Sequence, residues 1–347
     1  MIEAHRIIFP GKMQACLERY AFEDSAEHEN EIVIETAFSA VSSGSELVAF
    51  TNDHDMGVMP FSINAGDPYP AFPGYAAVGT IIDLGDGVKG FNLGDMVFVA
   101  KGHASHHRAD VTTTSVTKVP EDVRPQDAVY VRFCAVSMAT LRTTAARPGD
   151  GVAVFGLGVV GTMAAQIFQV SGYEVVGIDP VDARRRGAEC CGVRHTLPPS
   201  EDLSTQWTRT LGDTPCKLAL EASGTPHATH AAIQLASTGA EVVLIGGPWK
   251  RSAAFSMSDL LQPLFLKYLR LRSGWELELP EFPTPFRQGS TVQNLQHAMN
   301  LFARGLIQVA PLRSHVLSPL DAEAAFLSLL NEKETCHSVV FDWTNMK

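Results

Sequence analysis

The chain has 347 residues, 45% of them hydrophobic and 19% charged, with a formal net charge of -11 and a pI near 5.5. At roughly 100–200 residues per domain, that length predicts two domains with sizeable cores. The acidic balance argues against a nucleic-acid partner, which needs clustered Lys and Arg; the one tight basic run, Arg184-Arg185-Arg186, falls inside a predicted helix.

No apolar run reaches the ~18–20 residues needed to span a bilayer. The opening MIEAHRIIFPGK reads as a short strand and a turn, without the apolar stretch of a secretory signal. The expectation is a cytoplasmic protein that does not enter a membrane. Six cysteines are too sparse for a disulfide framework. Cys190 and Cys191 are neighbours and lack CxxC geometry, so all six read as reduced, buried thiols.

The first third is β-rich. Residues 31–42 alternate as a strand, followed by a Ser/Gly turn and a polar loop through 67–75. Residues 76–100 read as strand, turn, strand, with Gly85-Asp86-Gly87 and Leu93-Gly94-Asp95 supplying turn chemistry. An extended segment, 111–120, closes this part, and His103 with His106 and His107 falls in a predicted strand. From about 123 the pattern becomes alternating helices and strands. Apolar strands are expected at 152–155, 174–179, 218–223, 241–247 and 269–275, with helices between them, such as 227–236 and 258–269. Repeated βα units with apolar strands predict a parallel sheet covered on both faces. Helices at 291–305 and 321–332 and a terminal strand, SVVFDW, complete the chain.

Gly156-Leu157-Gly158-Val159-Val160-Gly161 is a GxGxxG that follows an apolar strand and opens an apolar helix. Asp179 ends the next strand, at about the twenty-residue separation expected of a dinucleotide fingerprint. Gly156 permits the tight turn, Gly158 the approach of backbone to a pyrophosphate, and Gly161 close packing of helix on strand. The helix N-terminus supplies N–H donors for phosphate. Asp179 is placed to accept the adenosine ribose hydroxyls, and its charge would repel a 2′-phosphate; NAD is therefore expected over NADP.

The order of parts, β-rich then nucleotide-binding then a helical return, resembles the medium-chain dehydrogenase/reductase superfamily over nearly the whole chain. The segments PGYAAVGTIIDLGDGVKGFNLGDMVFV and LALEASGTPHATHAAIQLASTGAEVVLIGG carry the likeness. It implies a GroES-like β-rich catalytic domain at 1–122, a Rossmann doubly wound parallel-sheet NAD-binding domain at 123–284, and a return to the catalytic domain at 285–347, with the active site in the cleft between domains. It also implies that Val160 backs the nicotinamide, that Arg184 flanks the ribose, and that Ser223 and Gly246 end strands on the cofactor side. A homodimer or homotetramer is implied through paired edge strands.

Zinc-dependent members place Cys, His and Cys or Glu where this chain has Ser43, Tyr75 and Arg132, with Cys134 near the last position. A hydroxyl, a phenol and a guanidinium do not form a tetrahedral zinc site, and the closely spaced Cys quartet of a structural zinc lobe is absent between Cys16 and Cys134. No metal is therefore expected, although His103, His106 and His107 with His54 and Asp55 are raw material for a rebuilt site. Without zinc, a side chain must move the alcohol proton and stabilise the developing oxygen charge. The candidates are Tyr75 as proton donor or acceptor, Ser45 at the substrate oxygen, Arg132 as oxyanion or carboxylate partner, Glu46 as base or as ion-pair partner of Arg132, and His103 as general base. Ser45 has a second reading as a helix cap.

The reading with most support is a zinc-independent NAD(H)-dependent oxidoreductase that interconverts alcohol and ketone or aldehyde on a small polyol, sugar or cyclitol. The alternatives are a metal-free enone or quinone reductase and a non-redox protein on the same scaffold, either a lyase or cyclase or an NAD sensor.

Overall fold

Two large sheets organise the chain. The computed structural model describes residues 1–53, 62–64, 67–249, 255–287 and 289–346; His54 and Asp55 lie outside them. One unit comprises Met1–Arg132, Pro280–Gly305 and Arg313–Lys347, the other Phe133–Leu279 and Leu306–Leu312. Residues 123–132, expected with the nucleotide-binding domain, group with the β-rich unit, as do 280–284, while 306–312 return to the other unit.

The β-rich unit holds a seven-stranded sheet. Its path runs His315–Leu317, Val339–Asp342, Glu31–Ala40, Ala77–Leu84, Met96–Val99, Val116–Lys118, and His106–Asp110 pairs with Glu31–Ala40 off that path. The terminal strand expected from SVVFDW thus lies beside Glu31–Ala40, with Phe341 opposite Ser39. Ile32, Ile34, Ile81, Val97 and Val99 pack into one core. A second core gathers Phe9, Phe50, Phe326 and Phe341. There Phe326 meets Phe9 edge-on at 4.8 Å and stacks on Phe50 at 5.4 Å. That core fixes the helices Ser43–Thr51 and Ala322–Asn331 by their buried faces. A separate antiparallel pair joins Ile2–Ile8 to Cys16–Phe22.

Three local expectations change. The Ser/Gly stretch after Ala40 is the first turn of the helix Ser43–Thr51, so Ser45 lies inside a helix whose N-cap is Ser42. The extended segment 111–120 is broken: a turn follows Asp110, where Thr113 and Thr114 N–H both donate to the Asp110 carbonyl, and the strand resumes at Val116. His103 precedes its strand rather than lying in it. Its N–H bonds the Pro73 carbonyl, and its carbonyl accepts from Ile7.

In the other unit six parallel strands run in the order Thr196–Leu197, Glu174–Ile178, Gly151–Phe155, Cys216–Glu221, Glu241–Leu244, Arg270–Ser273. Numbered along the chain this is 3-2-1-4-5-6, the doubly wound Rossmann order. Gly151–Phe155 is buried at every residue. Val152 and Val154 pack on one face with Ala164, Phe168 and Leu220, whereas Ala153 and Phe155 pack on the other with Trp207 and Ile233. This two-faced burial is why these strands read as unbroken apolar runs. Helices Val131–Thr143 and Leu203–Leu211 were not anticipated. Among the described residues no helix is long and apolar enough to cross a membrane.

Candidate functional site

The nucleotide-binding crook is built by the strand Gly151–Phe155 and the helix Val159–Val170. Gly156 has φ +92, and its N–H bonds the Ile178 carbonyl at 2.8 Å. A Cβ on Gly156 would lie 2.9 Å from Ser223, and one on Gly161 would lie 1.8 Å from the Gly156 carbonyl oxygen. Both positions therefore require glycine for packing. Gly158 differs: it is the helix N-cap, no side chain caps the helix, and a Cβ there would meet nothing within 4 Å. The helix N-terminus thus has no side-chain cap and open space beside Gly158, where an anion can approach. Leu157 and Val159 are buried, and Val160 is half-buried. The donor set and the open cradle fit a dinucleotide pyrophosphate.

Asp179 is buried, with 1% of its surface exposed. One carboxylate oxygen accepts the Leu157 N–H at 2.7 Å and the other the Val181 N–H at 2.8 Å. The residue expected to meet the ribose also fastens the glycine turn, and each oxygen keeps a second lone pair for a ligand hydroxyl. Arg184 holds its guanidinium 3.9 Å from the carboxylate. Ser223 and Gly246 meet at the carboxyl end of the sheet. Ser223 donates to the Glu221 carboxylate through its N–H at 2.7 Å and its hydroxyl at 2.5 Å, and Gly246 N–H donates to the Glu221 carbonyl at 2.7 Å. Glu221 organises this rim and was not singled out from sequence. Burial raises its carboxyl above the usual range, while the Ser223 and Gly224 donors oppose the rise.

In the β-rich unit, side chains far apart in sequence converge. Gly74, at φ +96, leaves the gap that His103 fills; a Cβ there would sit 2.8 Å from the His103 ring. Tyr75 follows, and its hydroxyl donates to Ser42 Oγ. The Arg132 guanidinium lies 5.5 Å from the centre of the Tyr75 ring, within cation–π range. The expected Glu46–Arg132 pair is replaced by Glu46–His103: Glu46 Oε2 and His103 Nε2 are 2.8 Å apart, and both side chains are fully buried. Leaving either group buried without the other costs about 3–5 kcal/mol. Neither side chain reaches solvent in this arrangement. Glu46 Oε1 also accepts the Ser42 N–H at 2.7 Å. His103 Nδ1 meets Ser39 Oγ at 2.8 Å, and Trp343 Nε1 donates to the same oxygen at 2.9 Å. Ser42, Ser39 and Trp343 were missed. The available signal was Ser39, a hydroxyl on a strand of mostly apolar residues.

His106 bonds Ser105 Oγ at 3.0 Å and lies against Phe22. His107 is buried in its strand. At the positions where zinc-dependent relatives carry ligands, Ser43 opens a helix, Tyr75 bonds Ser42, and Arg132 covers Tyr75. Burial raises the Cys134 thiol far above its ordinary range, so its thiolate is disfavoured. Among the described residues no three His, Cys, Asp or Glu side chains cluster to hold a metal ion. Among the described residues, Ser43, Tyr75 and Arg132 do not make a tetrahedral zinc site.

Residues 28–179 match the alcohol dehydrogenase GroES-like domain, and residues 159–284 match the zinc-binding dehydrogenase family. An alcohol dehydrogenase of Geobacillus stearothermophilus is 27% identical over 171 residues, 40% of this chain and only 50% of that protein. A 2-dehydro-3-deoxy-L-galactonate 5-dehydrogenase of Pseudoalteromonas atlantica is 25% identical over 75% of this chain and 79% of its own length. Among solved structures, a short chain alcohol dehydrogenase from Escherichia coli CFT073 complexed with NADH superposes with TM-score 0.76 at 17% identity, covering 98% of this chain and 99% of that one. A putative zinc-binding dehydrogenase from Sinorhizobium meliloti bound to NADP gives 0.75 at 14%, covering 99% and 100%.

Proposed function

Because the chain belongs to the zinc-type medium-chain alcohol/polyol dehydrogenase superfamily, we propose that it is a cytoplasmic, zinc-independent, NAD(H)-dependent oxidoreductase that interconverts a secondary alcohol and a ketone on a small polyol, sugar or cyclitol. The observation that carries this reading is Tyr75, with its hydroxyl on Ser42 and the Arg132 cation against its ring. A phenol so placed can exchange a proton with an alcohol oxygen, and a guanidinium beside it offsets negative charge on the phenolate or the substrate oxygen. The Gly156–Gly161 crook holds the pyrophosphate on the helix N-terminus, with Val160 behind the nicotinamide and Ser223 and Gly246 along the rim. When bound, NAD supplies the hydride acceptor; this chain's residues bind, orient and move the proton. The Asp179 carboxylate favours NAD over NADP by repelling a 2′-phosphate. The polyol class rests on the sugar-acid relative.

The test is direct. Purified protein is titrated with NADH and NADPH, then assayed for absorbance change at the NADH band against a panel of polyols and keto-sugars. Tighter NADH binding and polyol-dependent turnover are expected. A strong NADPH preference points to an enone or quinone reductase, and tight NADH binding with every substrate silent points to a sensor or lyase. We also propose a homodimer or homotetramer joined at the edge strand Arg270–Ser273, which exposes Leu271 and is followed by exposed Trp275 and Leu277. A monomeric mass by light scattering would end that proposal.

A further inference from the structure

We infer that the buried Glu46–His103 pair is a positioning device for Tyr75, acting through Ser42; this rests on the proposed role of Tyr75. The pair adjoins two positions where zinc-dependent relatives carry metal ligands, Ser43 and Tyr75. Glu46 is three residues past Ser43 on the same helix, and His103 fills the gap left by Gly74, one residue before Tyr75.

The contacts form a continuous path that converges on the Glu46 carboxylate from both sides. Trp343 Nε1 can only donate, and it donates to Ser39 Oγ. Ser39 Oγ also meets His103 Nδ1, 2.8 Å away, as donor or as acceptor. His103 Nε2 faces Glu46 Oε2 at 2.8 Å. The second Glu46 oxygen takes the Ser42 N–H. Ser42 Oγ, on the same residue, accepts the Tyr75 hydroxyl. Every polar atom along the path has a partner, so the path admits one geometry rather than several. The terminal strand residue Trp343, the strand Glu31–Ala40 and the helix Ser43–Thr51 are thereby tied to the orientation of a single phenol.

A group that only stabilises the fold and one that aims Tyr75 make different predictions in a double-mutant cycle. Glu46→Gln is expected to lower kcat by about tenfold to a hundredfold, with KM and NADH affinity nearly unchanged. In a Tyr75→Phe background the same change should cost nothing further. His103→Gln gives a second, independent arm, and thermal melts identify any variant that fails to fold. A readout free of turnover accompanies the cycle: fluorotyrosine is incorporated, and the Tyr75 fluorine resonance is assigned by its loss in Tyr75→Phe. That resonance should move in folded Glu46→Gln and His103→Gln while the other five tyrosines stay in place. Additive losses with an unmoved resonance overturn the inference. A moved resonance in a protein that turns over no substrate supports the positioning and defeats the proposed function instead.

Discussion

The glycine crook and the Tyr75 cluster serve one proposed reaction but are made differently. The crook is backbone: three glycines within six residues, with the next strand's Asp179 holding the turn by the Leu157 N–H. The cluster is side chain: Ser39, Ser42, Glu46, Tyr75, His103, Arg132 and Trp343 come from segments that span almost the whole chain. A site written in local backbone geometry leaves a motif. A site written in long-range pairing does not.

The comparison can be broken most sharply at the glycines. Gly161→Ala forces a Cβ to within 1.8 Å of the Gly156 oxygen. We expect about 3 kcal/mol or more of lost stability, read by thermal melts, with NADH binding lost as well. Gly158→Ala enters open space; the melting temperature should hold while nucleotide affinity falls about tenfold, because the methyl group occupies the phosphate approach. Equal stability losses at the two positions would mean the crook is a packing feature only.

On the side-chain half, Tyr75→Phe keeps the ring against Arg132 and removes only the hydroxyl. Turnover is expected to fall by about a hundredfold or more, with NADH titration unchanged. Full activity in this variant would remove Tyr75 from the chemistry.

These two regions also show what could be read in advance. The six-stranded parallel sheet is legible where both faces of a strand are buried, which leaves apolar runs such as VAVF at 152–155. The cluster was legible only as substitutions at familiar positions: Tyr75 and Arg132 were named, and the structure brings them together. From sequence, Glu46 reads as a base or as the ion-pair partner of Arg132. Burial selected His103 instead, because Gly74 lets that imidazole reach Glu46 inside the unit. No periodicity signals a contact 57 residues apart. The motif points to Ser45 and gives no sign of Ser42; the helix begins at Ser43, and its cap residue Ser42 brings its N–H and hydroxyl into the network.

A smaller effect is expected at Asp179. Asp179→Ser frees the Leu157 N–H and removes the charge facing a 2′-phosphate; NADH affinity should drop about tenfold or more, and NADPH should gain relative to NADH. Competitive titration of the two nucleotides reads both changes.

The His107 imidazole tests the β-rich unit away from the cluster. Burial, followed by nearby Lys101, lowers the His107 imidazole from 6.5 to about 3. Between those pH values the unfolded chain binds this proton and the folded chain does not. Stability is therefore whole above pH 6.5 and lost as the pH falls, at up to about 1.4 kcal/mol per pH unit from this group. Denaturant melts of wild type and His107→Asn from pH 7 to 4 should show a shallower acid slope in the variant. Identical slopes would place the acid sensitivity elsewhere.

If organic side chains do here what a metal ion does in zinc-dependent relatives, the zinc content of the purified protein and its turnover before and after exhaustive chelation will show it. Substoichiometric zinc and unchanged turnover are expected. One zinc per chain, with activity lost on chelation and restored by added zinc, would put the metal back at the reacting oxygen.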